Sequence, residues 1–153
     1  MSAQLAQSVS ATPKFIKLAA DGSQLPPDAT DYAGILNLRD GIVTVYASDD
    51  DLAQAQCVKV CAKLAQLPGY TPWKLISDKD GELIVDRRFH DPAVDPDEYP
   101  HIVPEWHWMD TPHKSSSSVG AWFVGFLSGG VNCYDRDHRF RALAVCRPVP
   151  ASQ

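Results

Sequence analysis

Histidine and acidic residues, the side chains that bind metals and transfer protons, are grouped in the second half of the sequence. Three histidines recur at six-residue intervals: His101, His107 and His113. A second group lies near the carboxyl end: Asp135, Asp137 and His138. A metal site needs histidine or carboxylate groups that converge in one coordination geometry, and neither spacing meets this requirement. We therefore interpret both groups as solvated loop residues and expect no metal and no cofactor.

A catalytic nucleophile needs a neighbouring base and a third group that orients this base. Cys133 and His138 are close in sequence, but no orienting group or oxyanion loop can be recognised beside them. The sequence therefore predicts a protein that is not an enzyme and has no catalytic residues.

Aromatic and charged residues near the carboxyl end form the best candidate for a binding site. Trp and Tyr rings beside Arg and Asp suit stacking on sugar rings or the anchoring of a protein partner. The predicted ligand-binding residues are Trp106, Tyr134, Asp135, Arg136, Asp137, His138, Arg139 and Arg141. Trp108 and Trp122 are instead expected in the core, where large aromatic side chains are often found.

The elements that would position these residues are strands. Residues 119–127 are rich in aromatic and β-branched side chains, and two glycines at 129–130 can supply the positive φ of a tight turn. Residues 131–134 form a second short strand, and four polar residues at 135–138 end it. The alternating residues 140–147 give a third strand. We expect a three-stranded antiparallel meander that presents a polar tip.

One long helix is predicted from Ser48 to Leu67. Ser48 is the predicted N-cap, and Asp51 stands where the acidic residue of a capping box belongs. An apolar stripe at helical spacing contains Ala53, Cys57, Val60, Cys61, Leu64 and Leu67. We expect this stripe to pack against the sheet, with Cys57 and Cys61 as small apolar core residues.

The other segments carry strand and turn signals. Residues 14–18 are predicted as a short edge strand, and residues 35–46 as a hairpin that turns at an Asp-Gly step. Residues 91–112 contain prolines at a density that opposes both helix and central strand, so they are predicted as a long ordered loop. A flexible serine-rich linker is expected at 114–118.

Length and charge limit the classes of protein. A chain of 153 residues suits one domain, which we place at residues 14–150 after a flexible tail at residues 1–13. The net charge of −5 argues against a nucleic-acid partner. No stretch approaches the roughly 20 apolar residues that span a bilayer, so no membrane insertion is expected. Residues 1–12 lack the basic and apolar regions of a secretory signal, and we expect synthesis in the cytoplasm without a signal peptide.

Five motifs follow one another along residues 49–147. They are Gly69-Tyr70-Thr71-Pro72-Trp73-Lys74-Leu75, Pro92-Ala93-Val94-Asp95, Trp106-His107-Trp108-Met109-Asp110-Thr111-Pro112, Ala121-Trp122-Phe123-Val124-Gly125-Phe126 and Val145-Cys146-Arg147. Together they resemble the Lcl C-terminal domain family of the C-type-lectin-like superfamily. The resemblance implies an α+β, C-type-lectin-like domain. In such a domain one long helix, with room for a short second one, packs on a twisted antiparallel sheet with long loops.

The segment at 77–86 has two interpretations. Its Asp-Gly step lies between apolar runs and favours a hairpin. The pattern of the Lcl C-terminal domain family favours a short helix, with Ser77 as cap and Asp80 in the place of the usual Glu. We expect the helix, because the family pattern holds its register at both ends of the segment.

The resemblance also offers an alternative for the cysteines. Lectin-like domains often tie their first helix to the final strand through a disulfide. Cys57 or Cys61 would then pair with Cys146, in place of the buried free thiols that composition suggests.

The function that the resemblance implies is recognition without catalysis. The segment at 14–30 is similar to the openings of bacteriophage and prophage members of the family. We expect a virion-surface or receptor-binding protein that contacts a host-surface glycan or protein at a virion or extracellular surface. The alternative is a structural virion subunit, of a head decoration or a tail, which contacts other virion proteins. Some relatives are trimers, so a homo-oligomer is compatible with the resemblance, although no heptad pattern supports it.

Overall fold

The computed structural model describes residues 14–112 and 120–150, so the predicted tail at 1–13 and linker at 114–118 lie outside the described residues. The strands are β1 (Phe15–Leu18), β2 (Gln24–Leu25), β3 (Gly34–Asn37), β4 (Val43–Tyr46), β5 (Lys74–Leu75), β6 (Trp106–Pro112), β7 (Gly120–Gly125), β8 (Gly130–Asp135) and β9 (Leu143–Cys146). The helices are α1 (Gln54–Ala62) and α2 (Asp78–Ile84).

The strands form two antiparallel sheets. The larger sheet has the order β2-β1-β3-β4-β9-β5, and the smaller has the order β6-β7-β8. Two helices with antiparallel sheets confirm the predicted α+β class. The predicted hairpin within residues 35–46 is also confirmed, because β3 pairs with β4 and Gly41 has the positive φ of 71° that the turn requires. The strand at 15–18 is an interior strand, whereas the prediction placed it at an edge; the short β2 covers its outer side.

The predicted carboxyl-terminal meander is wrong in its third strand. β7 and β8 form the expected hairpin, but β9 leaves this sheet and lies between β4 and β5 in the larger one. All four residues of β9 are buried, which fits a central strand covered on both faces better than the half-exposed strand of a meander. The meander that exists is β6-β7-β8. Its first strand, Trp106–Pro112, lies in the segment that was predicted as loop.

The prediction of one long helix is also wrong, because α1 has only 9 residues and begins at Gln54. Ser48 does not cap it: its hydroxyl accepts a hydrogen bond from the Asp50 N–H at 3.0 Å and forms a local turn. Leu52 exchanges two backbone hydrogen bonds with Phe140, which keeps the chain before α1 extended. The helix ends at Ala62, well before the predicted stop.

The second helix confirms the helical alternative for residues 77–86. The Ser77 hydroxyl accepts from the Asp80 N–H at 3.2 Å, and Asp80 Oδ2 accepts from the Ser77 N–H at 3.0 Å. This reciprocal pair is a capping box. The other oxygen of Asp80 accepts from the guanidinium of Arg147 at 2.6 Å, and the Asp80 side chain is 6% exposed. One carboxylate therefore ties α2 to the end of β9.

Replacement of Asp80 by alanine is expected to lower the free energy of unfolding by about 2 kcal/mol, from the loss of the cap and of a charge-assisted hydrogen bond. Arg147 is half exposed and would be rehydrated, which limits the effect. Urea denaturation measures it. Glu82→Ala is the control, since Glu82 is exposed on the same helix and its loss is expected to cost less than about 0.5 kcal/mol. Equal losses from the two variants would contradict this assignment.

Two hydrophobic clusters lie on the two faces of the smaller sheet. Successive residues of a strand point to opposite faces. Trp108 and Phe123 therefore join the first cluster, whereas Met109 and Val124 join the second. Helix α1 contributes Cys57 and Cys61 to the first cluster, and α2 contributes Ile84 to the second; the closing strand β9 contributes to both. The smaller sheet is thus a layer shared by two cores.

The cysteines are free thiols, and the disulfide alternative for Cys146 is wrong. Cys57, Cys61 and Cys146 are buried in the first cluster, which confirms the core interpretation of the two helical cysteines. Burial raises the pKa of each of these three thiols to about 12, because a thiolate there would be poorly solvated. Neither described helix has the length and apolar character needed to cross a bilayer.

Candidate recognition site

Aromatic rings form a continuous row along one face of the smaller sheet. Trp106, the first residue of β6, is 50% exposed, and Tyr134, near the end of β8, is 44% exposed. Between them lie the buried rings of Phe123 and Phe140. The Trp106 ring centroid is 5.1 and 5.2 Å from theirs, and that of Tyr134 is 6.5 and 6.3 Å away. Two predicted binding residues, distant in sequence, thus share one supported surface.

The turn after β8 is held in place at several points. The His138 ring lies 4.1 Å from that of Tyr134, and its carbonyl accepts from the indole N–H of Trp108 at 3.1 Å. Asp135 Oδ1 accepts from the Asp137 N–H at 3.0 Å, and the Asp135 carbonyl accepts from the His138 N–H at 3.1 Å. The predicted polar tip is therefore an ordered turn, with both of its carboxylates exposed.

Arg136 has a structural role. Its Nε–H donates to the Gly120 carbonyl at 3.0 Å, and its own carbonyl accepts from the Gln54 N–H at 3.1 Å. These bonds connect the turn to the start of β7 and to the start of α1. Arg136 was predicted to contact a ligand; it is partly buried in the structure, and these bonds position the turn.

Arg141 organises charged residues from three segments. Its guanidinium donates to Glu105 Oε2 at 2.9 Å and to the Asp49 carbonyl at 3.0 Å. Its buried Nε lies 3.2 Å from Asp51 Oδ1 as an ion pair, without the orientation of a hydrogen bond. The Arg141 side chain is 25% exposed, whereas both carboxylate side chains are 47% exposed. Arg141 therefore holds two carboxylates at the surface.

A cavity of about 320 Å³ lies between these carboxylates and the aromatic row. We call it the Trp106 cavity, and its lining residues are Asp51, Pro104, Glu105, Trp106, Leu127, Arg139 and Phe140. Arg139 is exposed and forms no hydrogen bond or ion pair with any residue in the described part of the chain. The cavity thus combines an apolar wall, two carboxylates and one guanidinium that has no partner among the described residues.

Gly125 allows the indole of Trp106 to lie in this position. The two residues are paired across β6 and β7. A Cβ atom on Gly125 would lie 2.9 Å from Cδ1 and 3.2 Å from Nε1 of the indole, closer than van der Waals contact allows. A larger residue at position 125 would therefore displace the ring.

The structure brings together only part of the predicted site. Trp106 and Arg139 line the cavity, and Arg141 supports its carboxylates; Tyr134 and His138 continue the aromatic row. Asp135, Asp137 and Arg136 belong to the turn and do not line the cavity. Sequence reasoning missed five lining residues: Asp51, Pro104, Glu105, Leu127 and Phe140. For Glu105 the available signal was its position next to Trp106, which was a predicted binding residue. Asp51 was instead assigned to a helix cap.

His107 is fully buried and His101 is partly buried, so the interpretation of these two histidines as solvated loop residues is wrong. His101 Nε2 bonds with the Thr44 hydroxyl at 2.8 Å, and His107 Nε2 bonds with the Tyr46 hydroxyl at 2.7 Å. His113 lies outside the described residues. Within residues 14–112 and 120–150, no group of three or more His, Cys, Asp or Glu side chains is placed to hold a metal ion. Trp108 is fully buried as predicted, and Trp122 is partly buried against the second cluster.

The family assignment stays a prediction from the sequence motifs. The sheet orders and the geometry of the Trp106 cavity are properties of this chain and do not name a family by themselves. Comparisons with protein-family models, with curated proteins and with solved structures found no match to this chain.

Proposed function

We propose that the protein is a non-enzymatic recognition module that binds a glycan in the Trp106 cavity. One observation carries this proposal: a half-exposed indole forms the wall of a small cavity that also contains two carboxylates and an unpaired guanidinium. The apolar face of a sugar ring stacks on an aromatic ring, while its hydroxyl groups need acceptors and donors around the edge. Trp106 supplies the aromatic ring. Asp51, Glu105 and Arg139 supply the hydrogen-bond acceptors and donors.

The size and rigidity of the cavity support the same class of ligand. A volume of about 320 Å³ is at the lower end of the range for small-molecule sites, which suits one or two sugar rings. The ring of Phe140 supports Trp106 from below, and Arg141 fixes the carboxylate of Glu105. A site that is ordered before binding loses less entropy when a ligand arrives.

The arrangement favours binding over catalysis. Hydrolysis of a glycosidic bond uses two carboxyl groups with separate roles, one of which delivers a proton. Asp51 and Glu105 are both ion-paired with the same guanidinium, which suits acceptance of hydrogen bonds from hydroxyl groups. The proposal is therefore a lectin-like activity, in line with the resemblance to the Lcl C-terminal domain family.

The resemblance to phage and prophage members extends the proposal to its setting. The glycan would then belong to a host surface, the protein would act at a virion or extracellular surface, and a trimer would multiply a weak single-site affinity.

A second candidate is a structural virion subunit. It is favoured by β8, at the edge of the smaller sheet, where Val131 is 49% exposed. Mass photometry combined with a glycan array separates the two, since a structural subunit should assemble but bind no glycan.

Replacement of Trp106 by alanine is expected to weaken glycan binding at least tenfold, because tryptophan anchors carry much of the energy of a binding site. A glycan array identifies the ligand, and isothermal titration calorimetry measures its affinity for each variant. Arg139→Ala is expected to weaken binding about fivefold. The control is Phe89→Ala, which removes an aromatic ring that is also partly exposed but lies outside the cavity.

Gly125→Ala tests the position of the indole without removing it. The added methyl group is expected to displace Trp106 and to weaken binding to a similar extent, although the ring remains in the protein. Unchanged affinity in Trp106→Ala and Gly125→Ala would rule out this cavity as the glycan site. Binding of a protein partner, and of no glycan, would support recognition but would reject the proposed ligand class.

A further inference from the structure

A second cavity, of about 540 Å³, lies near the end of β6 remote from Trp106 and shares no lining residue with the Trp106 cavity. We call it the Lys74 cleft. The polar residues that face it include Thr71, Lys74, Ser77, Lys79, Asp110 and Arg147. They come from β5, the start of α2, β6 and the end of β9, so the cleft lies where both sheets meet the second helix.

The cleft contains two lysines with no fixed partner. Lys74 and Lys79 are exposed, and neither forms a hydrogen bond or an ion pair with any residue described in the structure. The ammonium group of Lys74 attracts the carboxylate of Asp110, which also lines the cleft. Neither ammonium group is held by a hydrogen bond within the described part of the chain, so both are available to an anionic ligand.

Both oxygens of the buried carboxylate in the wall already accept a hydrogen bond from the protein. Asp80 Oδ1 accepts from Arg147 at 2.6 Å, and Asp80 Oδ2 accepts from the Ser77 N–H at 3.0 Å. Arg147 is 46% exposed and keeps further N–H groups free to donate. Asp80 therefore fixes the guanidinium of Arg147 at the wall of the cleft, and the remaining N–H groups of Arg147 can still donate to a ligand.

Two hydroxyl groups add further donors. Thr71 Oγ1 accepts from the Arg147 N–H at 3.0 Å, and Ser77 Oγ accepts from the Asp80 N–H at 3.2 Å. Each hydroxyl has used an acceptor site, and its hydrogen remains available to a ligand. The carboxylate of Asp110 also lines the cleft, where its negative charge would oppose the binding of an anion. Burial, followed by the charge of Asp80, raises its pKa above the ordinary value.

We propose that the Lys74 cleft binds a sugar-sized molecule through a phosphate or sulfate group. The wall offers donors from two lysines, an arginine and two hydroxyl groups, whereas both oxygens of Asp80 already accept hydrogen bonds from the protein. A tetrahedral oxyanion is the ligand with the reverse arrangement, since it presents several acceptor oxygens and no obligatory donor. The volume of about 540 Å³ leaves room for a ring attached to the anion.

Isothermal titration calorimetry at low salt tests this site with three probes: glucose 6-phosphate, glucose 6-sulfate and glucose. Binding of either charged sugar, without binding of glucose, is the expected result, and the tighter of the two identifies the anion. Lys74→Ala and Lys79→Ala are each expected to weaken binding about tenfold, and the double variant to abolish it. Lys59→Ala removes an exposed lysine of α1 outside the cleft and should leave binding unchanged.

The exposed position of both lysines means that the variants should fold, which a urea denaturation curve checks. Equal binding of glucose and the charged sugars would overturn the proposal, as would full affinity in the double variant. Absence of binding by both charged probes would also reject it. Loss of binding on addition of salt would support it, because exposed charges are screened.

Discussion

Replacement of Trp108 by alanine is expected to lower the free energy of unfolding by about 3–5 kcal/mol, the range for removal of a fully buried large aromatic side chain. Trp108 has no exposed surface and packs against Phe140 with ring centroids 4.5 Å apart. Its indole N–H also donates to the His138 carbonyl at 3.1 Å. The substitution would leave a cavity in the first cluster and a carbonyl without its donor.

Urea denaturation of the two proteins measures this loss. Trp106→Ala is the matched control, because the same side chain is removed two residues away at a half-exposed position. Its expected cost is about 1 kcal/mol or less, since little surface there is withdrawn from water. A loss below about 2 kcal/mol for Trp108→Ala would show that the first cluster collapses around the gap.

A second substitution of Trp108 tests its effect on the aromatic row. Trp108 fixes the backbone of His138, and the His138 ring packs on that of Tyr134. Trp108→Phe keeps most of the buried ring but removes the hydrogen bond. It is expected to cost about 1–2 kcal/mol and to increase hydrogen exchange in the turn at 135–138 more than in β9.

Local sequence signals predicted the elements that depend on neighbouring residues. The β3–β4 hairpin depends on one Asp-Gly step, and it forms. The burial of Cys57 and Cys61 follows from a helical stripe. The capping box of α2 also involves only Ser77 and Asp80, three residues apart, but this helix was expected from the family resemblance, against the Asp-Gly step that favoured a hairpin. Each of these features is decided within a few residues of the chain.

The errors concern pairings between distant segments. Leu52 is paired with Phe140, 88 positions later in the numbering, and this pairing stops α1 from starting at Ser48. The alternation within 140–147 predicted the third strand of the meander, but β9 pairs with β4 and β5, and its residues join both hydrophobic clusters. Alternation in a single strand does not reveal which strands will be its neighbours, so the sheet order could not be predicted.

The candidate site likewise contains residues that the sequence could predict and residues that depend on contacts between distant segments. Trp106 and Arg139 could be chosen from their residue types, because aromatic and arginine side chains are enriched at binding surfaces. Asp51 and Glu105 become part of the site only because Arg141 binds both. Arg136 was chosen for its charge, but the carbonyl of Gly120 occupies its Nε–H. Sequence can suggest which side chains suit a ligand, whereas their contacts decide which are free to bind one.

Acidification from pH 7.5 to pH 5 is expected to lower the free energy of unfolding by about 4 kcal/mol, because two histidines are buried in the neutral form. Burial is the main cause that lowers the pKa of His101 to about 4 and that of His107 to about 3. In the unfolded chain both have the ordinary value of about 6.5. Their stabilising contribution is complete above pH 6.5 and is lost as the pH falls towards these lower values.

The size of the effect follows from the protons bound in each state. At pH 5 both histidines are mostly protonated in the unfolded chain and mostly neutral in the folded protein, which costs about 2 kcal/mol each. Asp110 acts in the opposite direction, since its raised pKa lets the folded state bind a proton more readily. The pKa of Asp86 is lowered to about 2, so its contribution changes only below the pH range of this experiment.

The contacts of His107 and His101 explain why both side chains stay neutral in the folded protein at pH 5. The His107 Nδ1–H donates to the Glu105 carbonyl at 2.7 Å, so Nε2 accepts from the Tyr46 hydroxyl. The Tyr46 oxygen in turn accepts from the Val103 N–H at 3.1 Å. Protonation of Nε2 would place a donor against a hydroxyl whose hydrogen already points at it. His101 Nδ1 is buried without a partner in the described residues, and a second charge there would be unsolvated.

Urea denaturation at pH 7.5 and pH 5 measures the loss, and glutamine variants assign it. His101→Gln and His107→Gln remove the titrating ring, and each is expected to reduce the difference between the two pH values by about half. His90→Gln is the control, because His90 is exposed and should leave the difference intact. A full pH dependence in the double variant would contradict the assignment.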